Sequence, residues 1–207
     1  MQLKRAGALG FELPPTVVTN CPEDVLALHR EHGGKIVSKQ AAKAFSSTLG
    51  DHMIRYTELV SPRDLAHIDA IAHCPMIFQG YVPKLVELRV TVVGQQVFAA
   101  EIHSQTTNHT RHDWRRYDHG QTPHLPHELP RDVERRCVRL VEQLGLQYGA
   151  IDLVLTPDGR YVFLEINPNG QYLWIEDETG LPITDAICDL LLERSPANHA
   201  SAAGEVP

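Results

Sequence analysis

The sequence predicts an α+β protein whose two lobes meet near residues 79–83. The first part of the chain alternates short apolar strands with helical segments, in the order strand, helix, strand, strand, helix, strand. The second part has the order hairpin, helix, hairpin, helix. The chain has 207 residues, of which 43% are hydrophobic and 22% are charged, as in an ordinary globular protein with a substantial core.

Charge and cysteine content narrow the possible functions. A net charge of -7 argues against a nucleic-acid partner, because nucleic-acid-binding proteins usually present a basic surface. The four cysteines are far apart and form no CxxC pair, so neither a zinc site nor a disulfide framework is predicted. The chain contains neither an apolar run of transmembrane length nor a signal-peptide pattern. We therefore expect a cytoplasmic protein without a membrane partner.

The predicted first lobe covers residues 1–82. An apolar helical spacing that ends at Gly10 indicates that the first residues are the C-terminal part of a helix. Pro22 and Ser61 have the properties of first-turn and N-cap residues of two further helices. The remaining elements of this lobe are strand 15–19, helix 20–34, strand 35–40, strand 52–60, helix 61–73 and strand 76–83.

The predicted second lobe covers residues 83–194. The tail, residues 195–207, has no anchoring residue and is expected to be disordered. The segment 106–130 is a long polar loop rich in His, Arg and Pro, which is typical of a functional or disordered segment. The other elements of this lobe are hairpin 86–105, helix 131–146, hairpin 150–167 and helix 180–193.

The stretch "AIDLVLTPDGRYVFLEINPNG", residues 150–170, combines a hairpin pattern with polar residues where apolar ones are expected. Its Asp-Gly pair predicts a two-residue turn, which would place Asp152 opposite Glu165. The apolar residues of both strands share one face in that register, and a one-residue slip would separate them. These apolar residues are Ile151, Leu153, Leu155, Val162, Leu164 and Ile166. Asp152, Glu165 and Asn167 then share the opposite face.

Asp152, Glu165 and Asn167 predict a site for a hard cation. Two carboxylates that lie opposite each other on a sheet repel, so either one takes up a proton or a cation lies between them. Mg²⁺ prefers carboxylate and carbonyl oxygens and typically shares its coordination shell with substrate phosphates. The same oxygens would suit Ca²⁺, and a solvated sheet face is the simpler alternative. Apolar residues predicted for the same face favour a partly covered cleft; they are Val154, Tyr161 and Phe163.

Several longer stretches resemble the ATP-grasp ligases, and among them the ribosomal-peptide maturases of the microviridin (graspetide) type. The resemblance rests on "GAIDLVLTPDG" with "FLEINPNG", on "YVPKLVELRVTVVGQQVFAAEIHSQ" and on "DWRRYD", and it spans residues 1–194. The ribosomal-protein glutamate ligases and the glutathione synthetases are similar at a greater distance. The resemblance implies an ATP-grasp fold, in which two α+β lobes clasp ATP between them.

The resemblance also implies a role for each matching residue. Without it, the isolated cations would be interpreted as solvated side chains, and Glu87 with Arg89 as a surface pair. The implied roles are Mg²⁺ binding by Asp152, Glu165 and Asn167, ATP phosphate binding by Lys39, adenine recognition through the backbone around Gln79, Tyr81 and Val82, ribose binding by Glu87, and contact of Arg89 and Arg115 with the reacting phosphate or acyl-phosphate.

The implied activity is carboxylate activation with ATP and Mg²⁺, or Mn²⁺ in its place. An Asp or Glu side chain of a precursor peptide would become an acyl-phosphate. A Ser, Thr or Lys side chain of the same peptide would then displace phosphate to form an ester or an amide. The loop around Arg115 and Arg116 is a candidate contact for this acidic peptide, and a homodimer is left open.

Two alternatives to a peptide maturase remain open, and departures from the family pattern bear on the first of them. The chain has no N-terminal preATP-grasp domain and no phosphate-binding lysine before its first helix, which favours an ATP-binding module without activity. The loop 41–51 contains one glycine, Gly50, where relatives often have several, and His103 stands where the glutamate ligases carry arginine. The other alternative is an amino-acid ligase of the glutamate-ligase type. None of these departures bears on the predicted fold or metal site.

Overall fold

The computed structural model describes residues 2–40, 56–106 and 122–193. Residues 52–55 of the predicted strand 52–60, the middle of the long loop with Arg115, and the C-terminal tail lie outside these ranges. The elements are α1 (Gln2–Ala8), β1 (Thr16–Thr19), α2 (Pro22–Glu31), β2 (Ile36–Gln40), β3 (Glu58–Leu59), α3 (Pro62–Ala66), a 3-10 helix (Ile68–His73), β4 (Met76–Gly80), β5 (Val86–Val93), β6 (Gln96–Ile102), a 3-10 turn (Ser104–Thr106), β7 (His124–Pro126), α4 (Arg131–Gln143), β8 (Tyr148–Leu155), β9 (Tyr161–Asn167), α5 (Leu173–Thr179) and α6 (Ile183–Glu193).

The first sheet has four strands in the order β1-β4-β2-β3, and all of its pairings are antiparallel. Helix α2 and the 3-10 helix bury Val25, Leu28 and Ile71 against Ile36 and Phe78 of the strands. Together with the second sheet and its helices, this arrangement confirms the predicted α+β fold. The predicted helix 61–73 is divided into α3 and the 3-10 helix.

The second sheet has five antiparallel strands in the order β7-β6-β5-β8-β9. Its two faces bury different cores. Helix α4 covers one face, as its amphipathic spacing predicts, and packs Cys137 and Leu140 against Val90 and Leu153. On the other face Ile175 of α5 and Ile183 of α6 pack against the sheet. The sequence analysis places neither α5 nor β7. No helix in the described ranges is both long and apolar enough to cross a membrane.

The N-terminal segment packs with the second sheet. Ala6 of α1 and Phe11 are buried in the core that α4 also covers. The backbone N–H of Phe163 donates to the carbonyl of Glu12 at 2.9 Å, and this contact extends the edge of the sheet beyond β9. The division of the chain at residues 82 and 83 stays a prediction, and these contacts tie residues 2–12 to the lobe that follows it.

The hairpin of β8 and β9 contains two features that the sequence pattern does not indicate. Its loop has three residues, 157–159, instead of the two predicted, because the N–H of Thr156 donates to the carbonyl of Arg160 at 3.0 Å. Gly159 has a φ of 82°, which suits a loop of this length. A β-bulge then shifts the register by one residue between Asp152 and Leu153.

The three-residue loop and the β-bulge each shift the strand register by one residue, and the two shifts cancel at Asp152. Asp152 lies opposite Glu165, as predicted, while Leu153 pairs with Phe163 and Leu155 with Tyr161. Because of the bulge at Leu164, Tyr161 and Phe163 pack with the core under α4, so their predicted place on the acidic face is wrong. Leu164, predicted for the core, instead lies beside Glu165 on the acidic face, and only Val154 of the three apolar residues expected there is present.

The bulge can be tested with two neighbouring substitutions. Phe163→Ala is expected to lower the free energy of unfolding by about 3–5 kcal/mol, because it empties a fully buried site. Leu164→Ala should cost only about 1 kcal/mol, because that side chain is half-buried at a cleft. Urea unfolding of both variants measures the difference. A larger cost at Leu164 than at Phe163 would mean that the unbulged register is correct.

Candidate functional site: a cleft between the two sheets

A cleft of about 640 Å³, its open mouth included, lies between the two sheets. One wall is formed by β2, β4 and the segment that follows β4, and the other by β8 and β9. Val37, Val154 and Leu164 make part of the lining apolar. Most of the residues predicted for the site line this one cleft; they are Lys39, Gln79, Tyr81, Val82, Glu87, Asp152 and Glu165.

Asp152 and Glu165 form an acidic pair on the wall of the cleft that β8 and β9 provide. They are directly opposite each other on β8 and β9, and both line the cleft. Burial raises the pKa of Asp152 to about 6; the charge of Arg89 opposes this shift, and the charges of Glu165 and Glu87 add to it. The pair is therefore costly to ionise fully, and a cation between the two carboxylates would reduce that cost.

Arg89 holds Asp152 from the neighbouring strand. The two residues are cross-strand partners on β5 and β8, and Nη1 of Arg89 donates to Oδ1 of Asp152 at 2.7 Å. The Arg89 side chain is buried, and its guanidinium lies 5.8 Å from the centre of the Trp174 ring of α5. Arg89 lies beside the cleft without lining it. The partner observed for its guanidinium is the carboxylate of Asp152. Its contact with a reacting phosphate stays a prediction.

Two predicted site residues remain, Asn167 and Arg115. Asn167 lies two residues after Glu165, opposite Ala150, and its Oδ1 accepts a hydrogen bond from the N–H of Asn169 at 3.2 Å. It does not line the cleft. Arg115 lies outside the described residues. The roles of both residues stay predictions.

Residues 79–82 offer mainly backbone groups to a ligand in the cleft. The amide of Gln79 donates to Oγ1 of Thr16 at 3.0 Å, so this buried side chain links β4 to β1. The N–H groups of Gly80 and Tyr81 donate to the carbonyls of Pro15 and Lys35. Among the described residues, Val82 makes no backbone hydrogen bond. Its N–H and C=O therefore remain for a ligand in the cleft that this residue lines.

Two residues that sequence reasoning missed fix Glu87. Nζ of Lys84 lies 3.0 Å from Oε1 of Glu87, and Oγ of Ser104 donates to the same oxygen at 2.8 Å. Lys84 also lines the cleft. The stretch "YVPKLVE" contains a signal for Lys84, since a single cation precedes the acidic residue by three positions. Nothing local indicates Ser104, because the contact joins the end of β6 to β5.

The donor set fits a cation that completes its shell with ligand oxygens. In the described part of the chain, no three His, Cys, Asp or Glu side chains converge on one point. Asp152 and Glu165 therefore supply two carboxylates, with Arg89 already bound to one oxygen. Mg²⁺ is usually held in this way, by one or two carboxylates together with substrate phosphates and water. Lys39, half-buried on β2, lines the facing side of the cleft.

The chain resembles solved ATP-grasp ligases that act on ribosomal peptides. A RiPP-associated ATP-grasp ligase of Chryseobacterium gregarium, in complex with ADP and a leader and core peptide, is 35% identical with a TM-score of 0.85 over 94% of this chain. The macrocyclase MdnC of Microcystis aeruginosa, bound with the precursor peptide MdnA, is 37% identical with a TM-score of 0.81 over 93%. The ATP-grasp ligase PsnB, with a minimal precursor variant, Mg and ADP, is 25% identical with a TM-score of 0.73 over 92%.

The fold is therefore the ATP-grasp fold. The resemblance to the ATP-grasp peptide maturases, inferred from the sequence, is confirmed. No protein-family model matches the chain. Human N-acetylaspartylglutamate synthase A is 24% identical over 152 residues, 70% of this chain and 38% of that protein. The chain spans 56–59% of the length of the three solved chains.

The raised pKa of Asp152 predicts how cation binding depends on pH. As the pH falls through about 6, Asp152 takes up a proton, and Mg²⁺-dependent ATP binding should weaken by up to about tenfold per pH unit. Calorimetric titrations between about pH 5 and 8 measure this. ATP itself titrates, so the control is Asp152→Asn, which should bind more weakly throughout and show only the pH dependence of ATP. Identical pH profiles for the two proteins would contradict the assignment.

Proposed function

We propose that this chain is the ATP-binding part of a ligase that activates Asp or Glu side chains of a ribosomally made precursor peptide. The observation that carries this proposal is the convergence of Lys39, Glu87, the acidic pair and the backbone at Val82 on one cleft between the sheets. The resemblance to solved ligases bound to ADP, Mg or precursor peptides supports it.

Each group has a physical task in this proposal. Val82 offers a donor and an acceptor to the adenine edge, and Glu87 accepts hydrogen bonds from the ribose. Lys39 faces the triphosphate, where its positive charge stabilises the charge that develops during transfer. Asp152 and Glu165 would hold Mg²⁺, which supplies charge neutralisation at the phosphate oxygens when it is bound. Arg89 keeps Asp152 ionised and oriented.

The chemistry has two steps, and ATP is a substrate. A carboxylate oxygen of the peptide attacks the γ-phosphorus, and the bond to the β-phosphate oxygen breaks, which gives an acyl-phosphate and ADP. A hydroxyl or amine of the peptide then attacks the acyl carbon, loses its proton, and displaces phosphate. A Ser or Thr nucleophile gives an ester, and a Lys nucleophile gives an amide. The protein contributes by positioning the groups and by stabilising charge.

A second candidate is an amino-acid ligase, which would extend a carboxylate with a free amino acid. The likeness to N-acetylaspartylglutamate synthase A favours it, at 24% identity over 70% of the chain. The two functions predict different products. A cross-linking ligase removes one water from a peptide for each bond formed, whereas an amino-acid ligase adds the mass of a residue.

Product mass tests the proposal. The chain is incubated with ATP, Mg²⁺, a mixture of amino acids and acidic peptides encoded beside its gene that contain Ser, Thr or Lys. We expect loss of one water per ADP released, measured by mass spectrometry and coupled ADP detection. The variant Asp152→Asn/Glu165→Gln should be inactive, whereas Asp189→Asn/Glu128→Gln, at exposed positions, should match the unmodified chain. Gain of an amino-acid residue, or ADP release without a product, would reject cross-linking.

A further inference from the structure

The carboxylate of Glu87 is fixed through one of its two oxygens. Lys84 and Ser104 both contact Oε1, at 3.0 and 2.8 Å. No described residue donates to Oε2. Glu87 lines the cleft, so the geometry leaves Oε2 as the oxygen that is available to a ligand.

Ser104 is suited to hold this carboxylate because its surroundings restrict it. It is fully buried, and it begins the 3-10 turn that follows β6 after one intervening residue. Ile102 is the cross-strand partner of Glu87, so the chain brings Ser104 back over Glu87 two residues later. Lys84, by contrast, holds Oε1 with a point charge on a flexible stem, which would allow the carboxylate to rotate. The short hydroxyl of Ser104 therefore fixes the orientation of the Glu87 carboxylate, which the ammonium group of Lys84 cannot do.

We propose that Ser104 is a positioning residue that sets the preference of the cleft for nucleotides with free ribose hydroxyls, through its hydrogen bond to Glu87. This inference rests on the proposed function, because it takes the ligand of Glu87 to be the ribose of ATP. When the plane of the carboxylate is fixed, the two lone pairs of Oε2 can accept hydrogen bonds from two neighbouring hydroxyls at once. Without Ser104 the carboxylate rotates and the second of these bonds is lost.

The test compares ATP with 2′-deoxy-ATP and 3′-deoxy-ATP, each with Mg²⁺, by calorimetry on the full chain. The unmodified chain should bind ATP about tenfold more tightly than either deoxynucleotide, since each lacks a hydrogen bond to a charged group. Ser104→Ala should weaken ATP binding by about fivefold and leave the deoxynucleotides almost unchanged. The selectivity ratio therefore falls, which a purely structural role of Ser104 would not cause.

Two further variants sharpen the comparison. Thr91→Val removes another fully buried hydroxyl from β5, one whose Oγ1 has no hydrogen-bond partner among the described residues, and it should keep the selectivity ratio. Ser104→Cys retains a weak donor of similar size and should give an intermediate ratio; it replaces the alanine variant if that variant does not fold. In a Glu87→Gln background, Ser104→Ala should have little further effect on the ratio, because both act through one carboxylate.

The possible failures are distinguishable. If Ser104→Ala weakens all three nucleotides equally, the residue is only structural and the inference is wrong. If the unmodified chain binds ATP and both deoxynucleotides equally, Glu87 does not read the ribose; the inference fails while ATP binding, and with it the proposed function, stands. If no nucleotide binds, both are rejected.

Discussion

The cleft depends on a row of charges across three neighbouring strands. Glu165, Asp152 and Arg89 are successive cross-strand partners on β9, β8 and β5. Two carboxylates and one guanidinium leave one negative charge in excess, beside a cleft with a partly apolar lining. Removing Arg89 would leave Asp152 buried without its partner, at a cost of about 3–5 kcal/mol. The same excess charge would favour a cation in the cleft.

The two sheets contribute different kinds of groups to this arrangement. The first sheet contributes Lys39 on β2 and the backbone groups of the segment after β4, where Val82 makes no backbone hydrogen bond to a described residue. The second sheet presents carboxylates, fixed by partners on adjacent strands or at strand ends. A nucleotide that bridges the two sheets would have its base near the backbone groups and its phosphates near the charged residues. In the proposed function, therefore, the first sheet would contribute the base-binding backbone and one phosphate-binding cation, and the second sheet would contribute the carboxylates that hold the metal ion.

Part of this arrangement is readable from sequence. The apolar periodicity predicts the α+β fold, and the opposed Asp152 and Glu165 follow from the hairpin pattern. The length of the turn cannot be predicted in this way, because the Asp158-Gly159 pair is compatible with a two-residue loop and with a three-residue loop. The structure adopts the three-residue loop. A three-residue loop alone would displace Asp152 from Glu165. The bulge restores their pairing and keeps Phe163 in the core, and nothing local in the sequence signals it.

The partners of the site residues were also beyond sequence reasoning. Ser104 reaches Glu87, and Trp174 reaches Arg89, through tertiary contacts between segments that are distant in the chain. Helix α5 has only seven residues and β7 only three, which is too short for a periodic pattern to appear. The local hairpin pattern therefore identified Asp152 and Glu165, and the family resemblance identified the other predicted residues that line the cleft, while the residues that hold them in place required the fold.

The central claim is that Asp152 and Glu165 hold the cation that binds with ATP. Its most direct test is calorimetry of ATP binding, with and without Mg²⁺, for the chain and for Asp152→Ala/Glu165→Ala. The proposed function predicts that Mg²⁺ tightens ATP binding to the unmodified chain at least about tenfold, or about 1.4 kcal/mol, and that the double variant loses this gain. Equal Mg²⁺ dependence in both proteins, or no ATP binding by the unmodified chain, would contradict it.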